Sequence, residues 1–158
     1  MAVKLAGLED NARKTAIEVL SARLADATAM LLALKQAHWN VKGPNFIAIH
    51  ELFDQVYDRL EPHIDEMAER IQQLDGTANG TAEHVAKTST LKPYPLDITG
   101  EADHIKAVVE RLRDLGGKVR EGIDQTDEAG EANAADILTA MSRDIDKDLW
   151  FIESHLEK

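Results

Sequence analysis

Apolar residues recur at steps of three and four along most of the chain, and that spacing predicts helices. A first stretch, from about Leu8 to Gln36, carries Ile17, Leu20, Leu24, Leu31 and Leu34. The break VKGP follows, where Gly43 and Pro44 stop one helix and Asn45 is placed to cap the next. The second stripe is the most regular: Phe46, Ile49, Phe53, Val56, Leu60, Ile64, Met67, Ile71 and Leu74. It persists over about eight turns. Gly76 and Gly80 are expected to end it, and residues 77–98, with Pro93 and Pro95, form a long connection in which TAEHVAK predicts a short extra helix. A third helix is expected from about Glu101 to Asp124, on Ile105, Val108, Val109, Leu112, Val119 and Ile123. A fourth should cover about Ala132 to Leu156, on Ile137, Met141, Ile145, Leu149, Ile152 and Leu156. No strand alternation and no internal repeat is evident. The pattern predicts an all-α four-helix bundle with one long crossover between its second and third helices.

Two features run against that regularity. Pro62 falls inside the second helix, where it removes a hydrogen bond and should kink the chain. The Gly116–Gly117 pair should soften the third, at about 1 kcal/mol per glycine relative to alanine.

Composition narrows the chemistry. The chain has 158 residues, 44% hydrophobic and 30% charged, which suits one domain over 1–158 with a short N-terminal extension of about residues 1–8. Cysteine is absent, which excludes disulfides, thiolate metal sites and thiol nucleophiles. Any metal must be held by His, Asp or Glu. The opening MAVKLAGLEDNARK lacks an apolar run long enough for a signal peptide, and no segment is apolar enough to span a membrane, so a cytoplasmic location is expected. The formal net charge of -11 attracts cations and repels nucleic acid.

The candidate ligands cluster on the second helix and just before it. His38 lies at the end of the first helix, and His50 and Asp54 share a face near the start of the second. Farther along, Asp65 and Glu69 form another i, i+4 pair. Histidine with carboxylates is a ligand set that Fe(II) accepts. The two pairs lie about 22 Å apart along one helix, too far to share an ion. Their spacing is reciprocal, however. The midpoint between 50 and 69 is also the midpoint between 54 and 65, near Arg59 and Leu60. An antiparallel crossing of this helix with its copy across a two-fold axis would set His50 and Asp54 against the partner's acidic pair, twice over. On a helical wheel the four residues spread over an arc of roughly 100° beside the apolar stripe, facing away from their own core.

The segments KQAHWN, GPNFIAIHELFD, DEMAERIQQLDG, LKPYPLDI and ADILTAMSRDIDKDLWFIE resemble the Dps family, the ferritin-like proteins of starved bacterial cells. The likeness covers nearly the whole chain after the first helix begins. It implies a ferritin-like bundle and a hollow homo-oligomer, a dodecamer in that family, built from two-fold dimers. It also implies a ferroxidase that converts Fe(II) to Fe(III), preferably with hydrogen peroxide, and stores the ferric mineral inside the shell. Carried over by position, His38, His50 and Asp54 would come from one subunit and Asp65 and Glu69 from its partner. Trp39 matches the family's tryptophan near the centre, where it would relay electrons or trap radicals; plain packing at a helix end is the alternative. Asp136, by its place in ADIL, would line an acidic iron-entry pore, within a segment, 124–136, whose acids also suit a solvated turn.

Remaining signals carry less. Glu101 and His104 spell E-x-x-H, but di-iron bundles need two such motifs and the chain has one. His63, His84 and His155 have no matched partners in the sequence and read as surface or interface residues. The lysine-rich tail of DNA-binding family members is missing: Lys4, Arg13 and Lys14 are the only early bases, and Glu9 and Asp10 offset two of them. A nucleoid-binding protective protein is therefore the second reading, with little direct affinity for DNA.

Overall fold

The structure is a computed structural model that describes residues 5–156, so Lys4 and the start of the N-terminal extension lie outside it. The described residues form five helices and no strand: α1 (Asp10–Asn40), α2 (Phe46–Gln73), α3 (Ala82–Thr88), α4 (Glu101–Glu128) and α5 (Ala132–Glu153). The fold is all-α, as the periodicity predicts: α1 packs on α2 and α4, and α5 on α4 and α2, while the short α3 lies against α1.

The core follows the stripes read from the sequence in large part, but Met30, Leu115 and Leu138 join it from outside them, while Phe46 and Leu156 are exposed. Leu20, Met30 and Leu34 of α1 meet Phe53, Val56, Met67 and Ile71 of α2, with Val108, Leu115 and Val119 of α4 and Leu138 and Met141 of α5, all fully buried. Each such side chain contributes about 1.5–3 kcal/mol by leaving water. Alanines fill much of the buried side of α1, including Ala12, Ala16, Ala27 and Ala37, and their small size lets neighbouring helices approach closely. Gly116 and Gly122 do the same for α4. A Cβ at Gly116 would stand 3.1 Å from Ile145, and one at Gly122 would stand 2.9 Å from Val19 and 3.1 Å from Leu138. The Gly116 position, expected to soften its helix, is thus a point of tight contact with α5.

The helix ends depart from expectation in instructive ways. The first helix runs to Asn40, a turn beyond Gln36, which makes His38 helical. The third long helix continues to Glu128. Neither Gly76 nor Gly80 terminates α2 by taking the left-handed conformation; Asp75 does, at φ 65°. The Asp75 N–H donates to the Gln72 carbonyl and the Gly76 N–H to the Ile71 carbonyl, the paired bonds of a Schellman motif. Gly76 matters because a side chain there would press on Ile71 and Ile17, at 2.9 and 3.1 Å. Pro62 is exposed, and α2 stays helical through it from Phe46 to Gln73. Asn45 occupies the N-cap position without a side-chain cap bond.

The long crossover is fastened by a buried carboxylate. Asp26, fully buried on α1, accepts from Arg23 Nη2 (2.9 Å), the Thr90 N–H (2.6 Å) and Ser89 Oγ (3.1 Å). Such a charge is tolerated away from water only when its lone pairs are filled in this way. At the far end of α2, Arg70 Nη2 bonds Glu131 (2.7 Å), which itself accepts from the Ala134 N–H at the start of α5.

Candidate metal centre

The turn between α1 and α2 is held from outside by α4. Its Lys42 N–H donates to the Thr99 carbonyl and the Glu101 N–H to the Lys42 carbonyl, both at 2.9 Å. The Glu101 carboxylate then accepts from the Asn45 N–H at 3.0 Å and from Asn45 Nδ2 at 2.9 Å. This is where the expected Asn45 cap goes: its amide serves a glutamate 56 residues away rather than its own helix. Gly43 leaves room for the clamp, since a Cβ there would fall 2.3 Å from Glu101 Oε2. Glu101 is accordingly a fastener of the turn, and the E-x-x-H motif is divided, with His104 directed to Tyr94 at 2.7 Å.

Within that clamp His38 and His50 face each other. His38 Nδ1–H donates to the His50 carbonyl and His50 Nδ1–H to the His38 carbonyl, each at 2.7 Å. Their rings stack at 3.6 Å between centroids, 20° from parallel, and Phe46 lies 4.9 Å from His50. A carbonyl can only accept, so both bonds require the proton on Nδ1. That fixes the tautomer and leaves Nε2 of each ring as the nitrogen free for a metal, a support metal-binding histidines commonly have. Asp54 adjoins the pair, with Oδ1 at 3.6 Å from His38 Nδ1.

Lys35 belongs to this site and was not singled out in the sequence. Its Nζ lies 2.5 Å from Asp54 Oδ1 and 4.6 Å from the centre of the Tyr57 ring. The bond to Lys35 is the main reason Asp54 titrates below the usual carboxylate range, with His38 adding to it; Asp54 in turn raises Lys35. A lysine near a helix end ordinarily reads as solvated, so only its i, i+19 meeting with Asp54 could have revealed it.

Asp65 and Glu69 are exposed on the same helix, with no hydrogen-bond or ion-pair partner among the described residues. The structure therefore brings His38, His50 and Asp54 together and leaves Asp65 and Glu69 apart from them, farther along α2. Among the described residues of this one chain, no three His, Asp or Glu side chains are gathered tightly enough to hold a metal ion. Trp39 is 70% exposed beside His38, and Ile47, at 61%, is exposed on the first turn of α2. Asp136 is exposed in the second turn of α5.

Between the two ligand pairs lies a polar ladder joining α2 to α5. Arg59 Nε bonds Asp148 Oδ1 at 2.6 Å, and His63 Nε2 pairs with Asp144 Oδ2 at 2.7 Å. His63, read from the sequence as unmatched, is buried and matched across 81 residues. Burial outweighs the Arg59 contact and pushes Asp148 up to about 6, with Asp144 adding to the rise. His155 is exposed and His84 half-buried.

A profile of the ferritin-like domain family matches residues 17–158. The DNA protection during starvation protein of Agrobacterium fabrum is 48% identical over 151 residues, spanning 96% of this chain and 93% of that relative. Among solved structures, Dps from Mycobacterium smegmatis superposes with a TM-score of 0.93 at 28% identity, covering 100% of this chain and 95% of that one. Dps from Microbacterium arborescens, in a high iron form, gives 0.88 at 31% identity over 95% and 97% of the two chains. The chain belongs to the Dps family of ferritin-like proteins.

Proposed function

We propose that this chain assembles through two-fold dimers into a hollow homo-oligomeric shell, a dodecamer, that oxidises Fe(II) to Fe(III) and stores the ferric product. The observation that carries this reading is the reciprocal bonding of His38 and His50, which occupies Nδ1 of both rings and leaves both Nε2 atoms free as metal donors, with Asp54 adjoining His38. The partner's copy of Asp65 and Glu69 completes each centre, because the spacing along α2 is symmetric about Arg59 and Leu60. A high iron form of the Microbacterium arborescens relative supports iron as the substrate.

Iron is substrate and cargo, and the residues supply binding and charge. Imidazole nitrogen and carboxylate oxygen suit Fe(II), and the anionic oxygens favour the higher charge of Fe(III). Two ferrous ions give two electrons to one hydrogen peroxide, which with two protons becomes two waters; paired transfer releases no hydroxyl radical. Removing ferrous iron and peroxide together protects the cell from oxidative damage, including damage to DNA. Lys35 holds Asp54 until a metal ion displaces it, and protonation of the ligands competes with the metal in the same way. In this reading Trp39, next to His38 in the chain, would donate or trap an electron, and Asp136 would line the iron-entry pore. The proposed location is the cytoplasm; no helix among the described residues is long and apolar enough to cross a membrane.

The test is stopped-flow absorbance with Fe(II) added anaerobically, followed by peroxide or oxygen. Fast oxidation consuming about one peroxide per two irons is expected. The Asp54→Ala, His50→Ala double variant should keep its assembly and lose the fast phase; unchanged kinetics would refute the site.

The name of the Agrobacterium fabrum relative favours a second reading, direct protection of DNA. The formal charge of -11 opposes contact with phosphates, so no gel shift is expected at low salt without magnesium. A shift that appears only with magnesium would mark bridging by cations.

A further inference from the structure

One pair of chemically active groups, His104 buried and Tyr94 half-buried, has no part in the proposed metal centre. Tyr94, in the crossover, has its hydroxyl 2.7 Å from His104 Nδ1 on α4, and the two rings stack at 6.0 Å, 20° from parallel. His104 is fully buried. The Ile98 backbone approaches its ring, yet Nε2 makes no hydrogen bond of proper geometry. Burial pushes His104 below the ordinary imidazole range and Tyr94 above the ordinary phenol range. The resting pair is therefore a neutral phenol donating to a neutral imidazole.

Removing an electron from a phenol makes its proton strongly acidic, so oxidation is easy only where a base waits on the hydroxyl. His104 is that base. Arg111, whose guanidinium carbon lies 5.0 Å from the centre of the Tyr94 ring, opposes any product that leaves positive charge on the ring. Proton loss must then accompany electron loss. The Asp103 carboxylate, adjacent in the chain, favours the imidazolium that results. Arg111 is itself fixed by bonds to the Lys92, Pro93 and Ala107 carbonyls, so the geometry is held in place.

We propose that Tyr94 is a redox-active tyrosine, a sink for one-electron oxidants in the shell wall, with His104 as its proton acceptor. The oxidant is of the hydroxyl-radical or tryptophanyl-radical class. It takes one electron from Tyr94; the phenolic O–H bond breaks, an N–H bond forms at His104 Nδ1, and a neutral phenoxyl radical remains. Hydroxyl radical is thereby reduced to hydroxide. Return of the proton with an electron from a solvent donor of the ascorbate class restores the phenol.

The chain has two tyrosines and two tryptophans, which makes the assignment testable by elimination. Tyr57, the other tyrosine, lies beneath the Lys35 ammonium at 4.6 Å, a cation that discourages ring oxidation. Trp39 and Trp150 are 70% and 67% exposed on the single chain, and azidyl radicals oxidise tryptophan readily. The experiment is pulse radiolysis of the assembled, iron-free protein with azidyl radicals, so the result is independent of whether the metal centre works. Tryptophanyl absorbance should decay as tyrosyl absorbance grows, and more slowly in D2O. Tyr94→Phe, which removes one oxygen atom, should abolish the growth while circular dichroism and assembly stay unchanged. Tyr57→Phe should leave it intact, and His104→Gln should slow it and remove the D2O effect. A purely structural hydroxyl would leave all these rates unaltered. Tyrosyl growth that survives in Tyr94→Phe, is lost in Tyr57→Phe, or never forms in the parent protein overturns the proposal.

Discussion

Lys35→Met is the most informative single substitution at the proposed centre, because it removes a cation already seated on a ligand. Methionine keeps much of the apolar stem over Tyr57 and deletes only the ammonium. The Nζ–Oδ1 separation is 2.5 Å, but the two side chains are 29% and 39% exposed, so solvent screens the pair. A contact of that kind is worth at most about 1 kcal/mol. A metal ion claiming Asp54 must first break it, and the displaced ammonium still repels a divalent cation nearby. The variant should therefore bind Fe(II) about five- to tenfold more tightly at neutral pH. The sign with pH follows from the same bond. Lys35 is the main cause of the low Asp54 pKa, so in the variant Asp54 protonates at a higher pH than in the parent. The gain should shrink as pH falls into the ordinary carboxylate range. Anaerobic calorimetric titration of Fe(II) at neutral and mildly acidic pH measures both effects. Equal or weaker binding by an intact Lys35→Met shell would refute the argument that Lys35 competes with metal for Asp54.

Three further outcomes are expected. Asp75→Gly relieves the one left-handed non-glycine residue among those described and should stabilise the fold by about 0.5–1 kcal/mol in denaturant titrations; a loss of stability would mean that the Asp75 side chain has a role of its own. Asp148 titrates at about 6, above its unfolded value, so its contribution to stability is fully present below pH 4 and is lost as pH rises through 6. Asp148→Asn lacks this titration, and its stability relative to the parent should improve by up to about 3 kcal/mol between pH 4 and pH 8, whereas a constant difference would contradict the buried-carboxylate argument. Glu101→Ala removes the carboxylate bonds to Asn45 while the backbone bonds at Lys42 remain, and should cost about 1–2 kcal/mol, with faster amide exchange at Asn45; unchanged exchange there would show that the carboxylate is dispensable.

Much of the architecture was legible in the sequence because it depends on local periodicity. The stripe from Phe46 to Leu74 names most of the buried face of α2, although Phe46 is exposed and the buried Leu52, His63 and Arg70 fall outside it, and TAEHVAK marks α3 to within a residue at each end. Helix ends were less legible, since they turn on single conformations. A glycine is the ordinary left-handed residue, yet Asp75 takes that role and Gly76 is needed for its lack of a side chain. The candidate ligands could be read from residue type and spacing, but their support could not. Glu101 on Asn45, Lys35 on Asp54 and Asp144 on His63 join residues 56, 19 and 81 apart, and no repeating pattern announces such pairs. The reciprocal histidine bonds likewise join residues 12 apart across the turn, which the spacing along one helix does not announce.

The central claim is that each metal centre is shared between two subunits, and complementation between two inactive variants tests it most directly. One variant carries His38→Ala and His50→Ala, the other Asp65→Ala and Glu69→Ala. Each alone should form shells with no fast iron oxidation. In a mixed dimer one centre collects all four substitutions and the other collects none. Co-assembly at equal amounts should therefore restore fast oxidation to about a quarter of the parent level, for random pairing. Mixed shells as inactive as either variant alone would contradict a shared centre.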